Sequence, residues 1–237
     1  MRSLFRFKQF DVDQTDCSMK INTDGVLLGA LAEKKNANRI LDIGTGTGVI
    51  ALMMAQRYSD ATIDAIDIDE QSSMLAQRNF KNSIFFPRIN NHHISFQNFS
   101  HQSTYDLIVS NPPFFTNALK NPDRRKSNAR HTSFEFYDQL LEKANWWLND
   151  DGSIQLVLPP KLAEYIVNKA ITAFGFKHQK TIGLRSFVNS EPYREIIALV
   201  KTDNNLTTSH EYLTLYKDKG VYSAAYKEIL KPFFINF

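Results

Sequence analysis

Apolar and polar positions alternate along this chain in two rhythms, and each switch between them marks an element boundary. Short apolar runs at 39–43, 62–66, 105–110 and 153–158 read as buried strands, with a briefer one at 94–96. Between them, 49–57, 70–82, 134–148 and 162–174 repeat their apolar residues at helical spacing. Strand and helix in strict turn predict a doubly wound α/β fold, a mostly parallel sheet with helices on both faces. Segments 177–184 and 195–201 regain strand character and predict a closing antiparallel hairpin. Ahead of this core stand a strand-like piece at 5–10 and a helix burying Val26, Leu27, Leu28, Ala30 and Leu31, capped by Thr23 or Asp24. Behind it, Asp203, Asn204 and Asn205 open a final stretch that ends in an aromatic-rich helix. The expected organisation is one domain over 1–237, with an N-terminal extension 1–38, a core 39–201 and a C-terminal extension 202–237.

Composition narrows the class. With 43% apolar residues in 237 the chain can bury a sizeable core, and 22% charged residues exclude global disorder. Cys17 is the only cysteine, which excludes an internal disulfide and a thiolate metal cage and fits a reducing compartment. The first ten residues hold no apolar run of signal-peptide length. No stretch approaches the roughly 18 apolar residues that span a bilayer. A cytoplasmic protein without membrane attachment is expected. His92 and His93 read as surface residues before a strand, Trp146 and Trp147 as core and helix packing, and no metal is expected.

The segment Asp42-Ile43-Gly44-Thr45-Gly46-Thr47-Gly48 falls where the first core strand gives way to a helix. Glycines there let the backbone turn tightly and approach a ligand closely. The spacing is G-x-G-x-G; the dinucleotide fingerprint would need its third glycine where Val49 stands, which counts against a dehydrogenase. Asp67 ends the next strand, where a carboxylate can accept both hydrogen bonds of a ribose diol. Asp69 competes for that role, and Asp64 reads as a solvated strand residue. Asp42 stands near the end of its strand, where a carboxylate suits a ligand ammonium and repels phosphate. S-adenosyl-L-methionine carries an ammonium and no phosphate, so the combination favours it as cofactor.

Asn111-Pro112-Pro113-Phe114 follows the strand at 105–110 directly. Ligands of open α/β sheets bind beyond the carboxyl ends of the strands, which puts this loop beside the cofactor. An aromatic amine is a poor nucleophile because its lone pair is delocalised into the ring. An acceptor on each N–H draws the nitrogen towards tetrahedral geometry and frees that pair. The Asn111 side-chain oxygen and the Pro112 carbonyl are the candidate acceptors, and Phe114 offers a face for a flipped-out base.

These motifs resemble a known family. Asp42 to Gly48 is similar to motif I of class I methyltransferases, and Asn111 to Phe114 to the motif IV of amino-methyltransferases. Residues 5–10, the run from Met19 to Ala30, Ala129-Arg130-His131 and the closing 222–237 resemble the tRNA1(Val) (adenine-N6)-methyltransferase family over nearly the whole length. The resemblance implies a seven-stranded Rossmann-like sheet and methylation of N6 of adenosine 37, beside the valine anticodon. It implies that Asp42, Gly44, Gly46, Gly48 and Asp67 serve the cofactor, and that Asn111, Pro112 and Phe114 hold the adenine. Asn98 stands where many related enzymes have an aspartate near the cofactor's adenine, and its side-chain oxygen can still accept from that amine.

Charge distribution then points to RNA. The whole chain carries +3, yet Lys120, Arg124, Arg125, Lys126 and Arg130, against Asp123 alone, give +4 between 120 and 131. Such a charged loop after the catalytic tetrapeptide suits phosphates flanking a flipped base, and Arg6 and Lys8 could extend it. A glutamine methyltransferase would use the same tetrapeptide but carries a helical domain before motif I, and only about 40 residues precede Asp42. A DNA adenine methylase would need a target-recognition domain, and a non-catalytic RNA-binding scaffold would not need both Asn111 and the three glycines.

Overall fold

A computed structural model describes residues 3–15, 17, 19–100, 103–113 and 124–237, with the backbone alone for 124–133. Its centre is an eight-stranded sheet in which β3 (Arg39–Ile43) lies between β4 (Thr62–Asp67) and β6 (Tyr105–Ser110). β5 (Ile89–His93) is the edge beyond β4, and β7 (Leu148–Leu158) follows β6 on the other side. These five strands run parallel. β9 (Arg194–Val200) runs antiparallel between β7 and β8 (Lys177–Arg185), the expected closing hairpin. The eighth strand, β10 (Ser209–Thr214), pairs parallel with β8 and replaces the expected seven-strand edge. Only Leu213 of it is buried, so its polar pattern gave no periodic signal. It lies in the stretch read as a C-terminal extension, which therefore contributes one strand to the sheet.

Alternate side chains feed two cores, as a sheet covered on both faces requires. Ile40, Leu107, Val109 and Val157 join the first face, with α1 (Thr23–Leu31), α2 (Val49–Arg57) and Phe80 of α3 (Glu70–Lys81). Leu41, Ile43, Ile108 and Ile154 join the second, under α4 (Arg124–Trp147) and α5 (Pro160–Phe174). Of the pair read as core and helix packing, Trp147 is in that core while Trp146 is 63% exposed on the helix surface. The predicted strand at 5–10 splits into β1 (Leu4–Arg6) and β2 (Asp11–Asp13), which pair antiparallel. Phe7 bridges to Phe234, just after the C-terminal helix α6 (Ala224–Leu230), and ties the two chain ends together.

Three further expectations change for physical reasons. The strand placed at 94–96 is β5 at Ile89–His93, because an edge strand tolerates the polar Asn90, Asn91, His92 and His93. Asp64 is not solvated: it is 2% exposed inside the sheet's covered face, and its carboxylate accepts from Tyr105 Oη at 2.8 Å and lies 3.1 Å from His92 Nε2. Burial pushes that carboxyl up, but the hydrogen bonds from His92, Tyr105 and Asn90 outweigh it and hold the group below its usual range. The cap of α1 is Asn22, whose side chain accepts from Gly25 N at 2.8 Å; neither Thr23 nor Asp24 takes that place.

Candidate active site

The turn after β3 is built on positive-φ backbone that glycine alone adopts without strain: Gly44 at 72°, Gly46 at 58° and Gly48 at 84°. Gly44 N and Thr45 N both donate to Ile66 O, at 2.9 and 3.0 Å, and hold the turn against the end of β4. The three glycines then divide their roles. Among the described residues, a Cβ on Gly44 or Gly46 would meet nothing within 4 Å, whereas one on Gly48 would sit 2.4 Å from Phe80 Cε1. Gly44 and Gly46 line a cavity of about 410 Å³; Gly48 lets α3 pack against the start of α2.

Asp67 forms the next part of that wall. Its Oδ2 accepts from Gly46 N at 2.8 Å and its Oδ1 from Asp69 N at 2.9 Å, so each oxygen keeps lone-pair capacity for a further donor. Asp69 also borders the cavity, but its carboxylate caps α3, accepting from Ser72 N at 2.8 Å. Asp42 lies beneath the turn and outside the lining. Its Oδ2 accepts from Thr45 Oγ1 at 2.7 Å and Ala51 N at 3.2 Å, while the buried Oδ1 has no partner among the described residues. Complete burial pushes its carboxyl up to about 7, with the charge of Asp67 adding and those two hydrogen bonds opposing.

Ser110 Oγ donates to Ile43 O at 2.7 Å and draws the end of β6 against the glycine turn. That contact puts Asn111, Pro112 and Pro113 into the cavity wall, opposite the glycines. Tyr137 Oη, from α4, donates to Pro113 O at 3.2 Å and pins the turn from above. The Asn111 amide nitrogen faces the start of α1, 3.6 Å from where a Cβ on Gly25 would be. Asn98 is exposed and is not brought to this wall; its neighbour Gln97 is, with Ser95 and Phe96. Phe114 and Lys120 lie outside the described residues. Arg124, Arg125, Lys126 and Arg130 sit on the backbone of α4, so the expected loop is helical from 124, and their side chains lie outside the described residues.

A family model described as the methyltransferase small domain matches residues 20–179. A curated protein of Pedobacter heparinus named tRNA1(Val) (adenine(37)-N6)-methyltransferase is 47% identical over 237 residues, with all of both chains covered. One of the same name from Parabacteroides distasonis is 40% identical over 234 residues, with 98% of each chain covered. The chain belongs to the tRNA1(Val) (adenine(37)-N6)-methyltransferase family. Its fold is also that of a solved predicted O-methyltransferase from Agrobacterium tumefaciens, with a TM-score of 0.67 at 14% identity, covering 88% of this chain and 96% of that one.

In this methyltransferase a second cavity, about 340 Å³, adjoins the first and shares Met19, Asn111, Pro112 and Pro113 with it. Its far side is Asn22, Thr23, Asp24, Tyr193 and Arg194. Sequence reasoning missed these as site residues, and missed Phe96, Phe136 and Met19 in the first cavity. The stretch around Met19 to Asp24 did carry family resemblance, which was its one signal; Tyr193 and Arg194 carried none. Larger hollows of about 650 and 700 Å³ open elsewhere and include none of the predicted site residues. Among the described residues, no helix is long and apolar enough to cross a membrane.

Proposed function

We propose that this protein transfers a methyl group from S-adenosyl-L-methionine to N6 of adenosine 37 in tRNA1(Val), and acts in the cytoplasm where that tRNA is. The observation that carries this reading is the meeting of two cavities at Asn111-Pro112-Pro113, one floored by Gly44 and Gly46 and the other open beside it. A donor on one side and an acceptor on the other would face each other across that tripeptide.

The residues present fit the cofactor. Gly44 and Gly46 leave space where any Cβ would project, and Asp67 has acceptor capacity for the ribose diol with its orientation fixed by two backbone N–H groups. The capping duty of Asp69 favours Asp67 for that role. The Asp42 carboxyl beneath the turn, pushed up to about 7 by burial, would be drawn to its ionised form by a ligand ammonium nearby and held from it by a phosphate. S-adenosyl-L-methionine, when bound, supplies an electrophilic methyl on a sulfonium.

The chain's own residues supply position. Asn111 Oδ1 and the Pro112 carbonyl each accept one N–H of the target amine, which localises its lone pair for in-line attack. The amine becomes strongly acidic once alkylated, so its proton leaves to solvent without a dedicated base. Interactions that tighten as the nitrogen becomes tetrahedral lower the barrier, whereas those equally strong in the ground state do not. The basic residues Lys120, Arg124, Arg125, Lys126 and Arg130 contact phosphates around the target and fix the register of the RNA.

Asn111→Ala tests the reading. Radiolabel transfer to tRNA1(Val) should fall at least a hundredfold, while calorimetry with S-adenosyl-L-methionine gives nearly the native affinity. Full transfer activity in the variant would refute the mechanism.

A further inference from the structure

The second cavity is assembled from three stretches remote in sequence: Asn22 to Asp24 at the start of α1, Asn111 to Pro113 after β6, and Tyr193-Arg194 at the start of β9. One ion pair joins the first and third. Arg194 Nε donates to Asp24 Oδ2 at 2.8 Å, and Arg194 Nη1 donates to Tyr193 O at 2.8 Å. Asp24 is 14% exposed and Arg194 27%, so both charges are largely withdrawn from water. Packed apolar residues generally stabilise such a position as well as a largely buried ion pair does. Stability alone therefore gives little reason for charges on this wall.

Tyr193 is the single aromatic ring among the described residues lining this cavity. Its backbone is pinned, with Tyr193 N donating to Leu184 O at 2.9 Å, and its ring packs partly against the core of the first face. The guanidinium of Arg194 lies 5.9 Å from the ring centroid. An adenine whose N6 is gripped at Asn111 must extend its ring away from the glycine turn, and the neighbouring hollow is this one. Its volume of about 340 Å³ is at the lower end of small-ligand pockets, roughly 300–1,000 Å³, which suits one nucleoside.

We propose that this second cavity receives the flipped-out target nucleoside, with Tyr193 as its aromatic wall and the Asp24–Arg194 pair as the positioning contact that locks that wall to α1. The inference rests on the adenine-N6 reading above and adds the residues that hold the acceptor. Burying a base against a fixed ring lowers the cost of unstacking it from the anticodon loop. The ion pair fixes the distance between the two sides of the pocket, so Asp24 and Arg194 act through Tyr193 and the start of α1.

The experiment compares two full-length tRNA1(Val) molecules, one with adenosine and one with an abasic ribose at position 37, by fluorescence anisotropy. The quantity read is the ratio of the abasic to the adenosine Kd. Tyr193→Leu should lower that ratio roughly ten- to hundredfold, the value of one base–aromatic stack, and leave the abasic Kd unchanged. Tyr193→Phe, which keeps the ring, should retain the native ratio, and Asp24→Asn should shift it in the same direction as Tyr193→Leu. Native calorimetric affinity for S-adenosyl-L-methionine in each variant certifies the fold. A ratio unchanged by Tyr193→Leu, or equal weakening of both RNAs, would overturn the pocket while wild-type methylation of adenosine 37 still stood. Wild-type protein that left adenosine 37 unmethylated would overturn the functional reading and the pocket together.

Discussion

The division of labour among the three glycines makes a sharp prediction, because the same substitution should do different damage two residues apart. Gly46 sits at φ 58° with open space in front of it, and Gly48 at φ 84° with Phe80 in the way. Alanine at either place must adopt left-handed backbone, which costs roughly 1–2 kcal/mol. At Gly46 little else is added, since no atom of the described residues lies within 4 Å of the new methyl. At Gly48 the methyl would sit 2.4 Å from Phe80 Cε1 and 2.7 Å from Cζ, and Phe80 is fully buried, so it cannot swing away. Overpacking of this kind adds roughly 1–3 kcal/mol. For a domain of this size each kcal/mol moves Tm by roughly 2–4 °C. Gly48→Ala should therefore melt several degrees below Gly46→Ala. Calorimetry should rank them the other way: Gly46→Ala places its methyl in the cavity proposed for the cofactor and should lower affinity for S-adenosyl-L-methionine at least tenfold. Gly48→Ala, outside the lining, should bind well at temperatures where it is folded. Equal melting temperatures, or native affinity in Gly46→Ala, would refute the assignment of one glycine to the ligand and the other to packing.

Three other outcomes follow from the site and the sheet. Asp42 carries a carboxyl raised from 3.8 to about 7 in the folded protein, so the native state holds a proton that the unfolded state releases between those values. Stability from this group is complete below pH 4 and falls as pH rises towards 7, by at most about 4 kcal/mol. Urea unfolding at pH 5 and pH 8 should therefore show Asp42→Asn gaining on wild type with rising pH, and a pH-independent difference would contradict it. Asp64→Ala removes the acceptor of the buried Tyr105 hydroxyl and should cost roughly 2–4 kcal/mol in thermal unfolding; a loss under 1 kcal/mol would show that water replaces it. Exchanging Arg124, Arg125 and Lys126 for alanine should weaken tRNA binding and flatten the log Kd against log salt slope by about 2. An unchanged slope would remove those residues from the RNA interface.

The chain's own pattern settled the parallel core and put the glycine turn and the Asn-Pro-Pro segment at the ends of its strands. Runs such as Ile40-Leu41 and Leu107-Ile108-Val109 are apolar at successive positions because both sheet faces are covered, and that local signal is strong. The glycine spacing and the Asn-Pro-Pro-Phe tetrapeptide are legible for a similar reason: consecutive residues form each. What failed in the sequence lay at edges or across long separations. β5 and β10 are polar edge strands, held by hydrogen bonds to one neighbour and by little apolar burial, so no periodicity marks them. Asp64 is a charge whose burial is explained by Arg39, Asn90, His92 and Tyr105 arriving from other strands. The same holds for the ion pair of Asp24 and Arg194, 170 residues apart, and for the different neighbours of Gly46 and Gly48. Local spacing fixes which backbone is made; only the folded packing decides which side chains share a cavity, because that depends on partners no window of sequence contains.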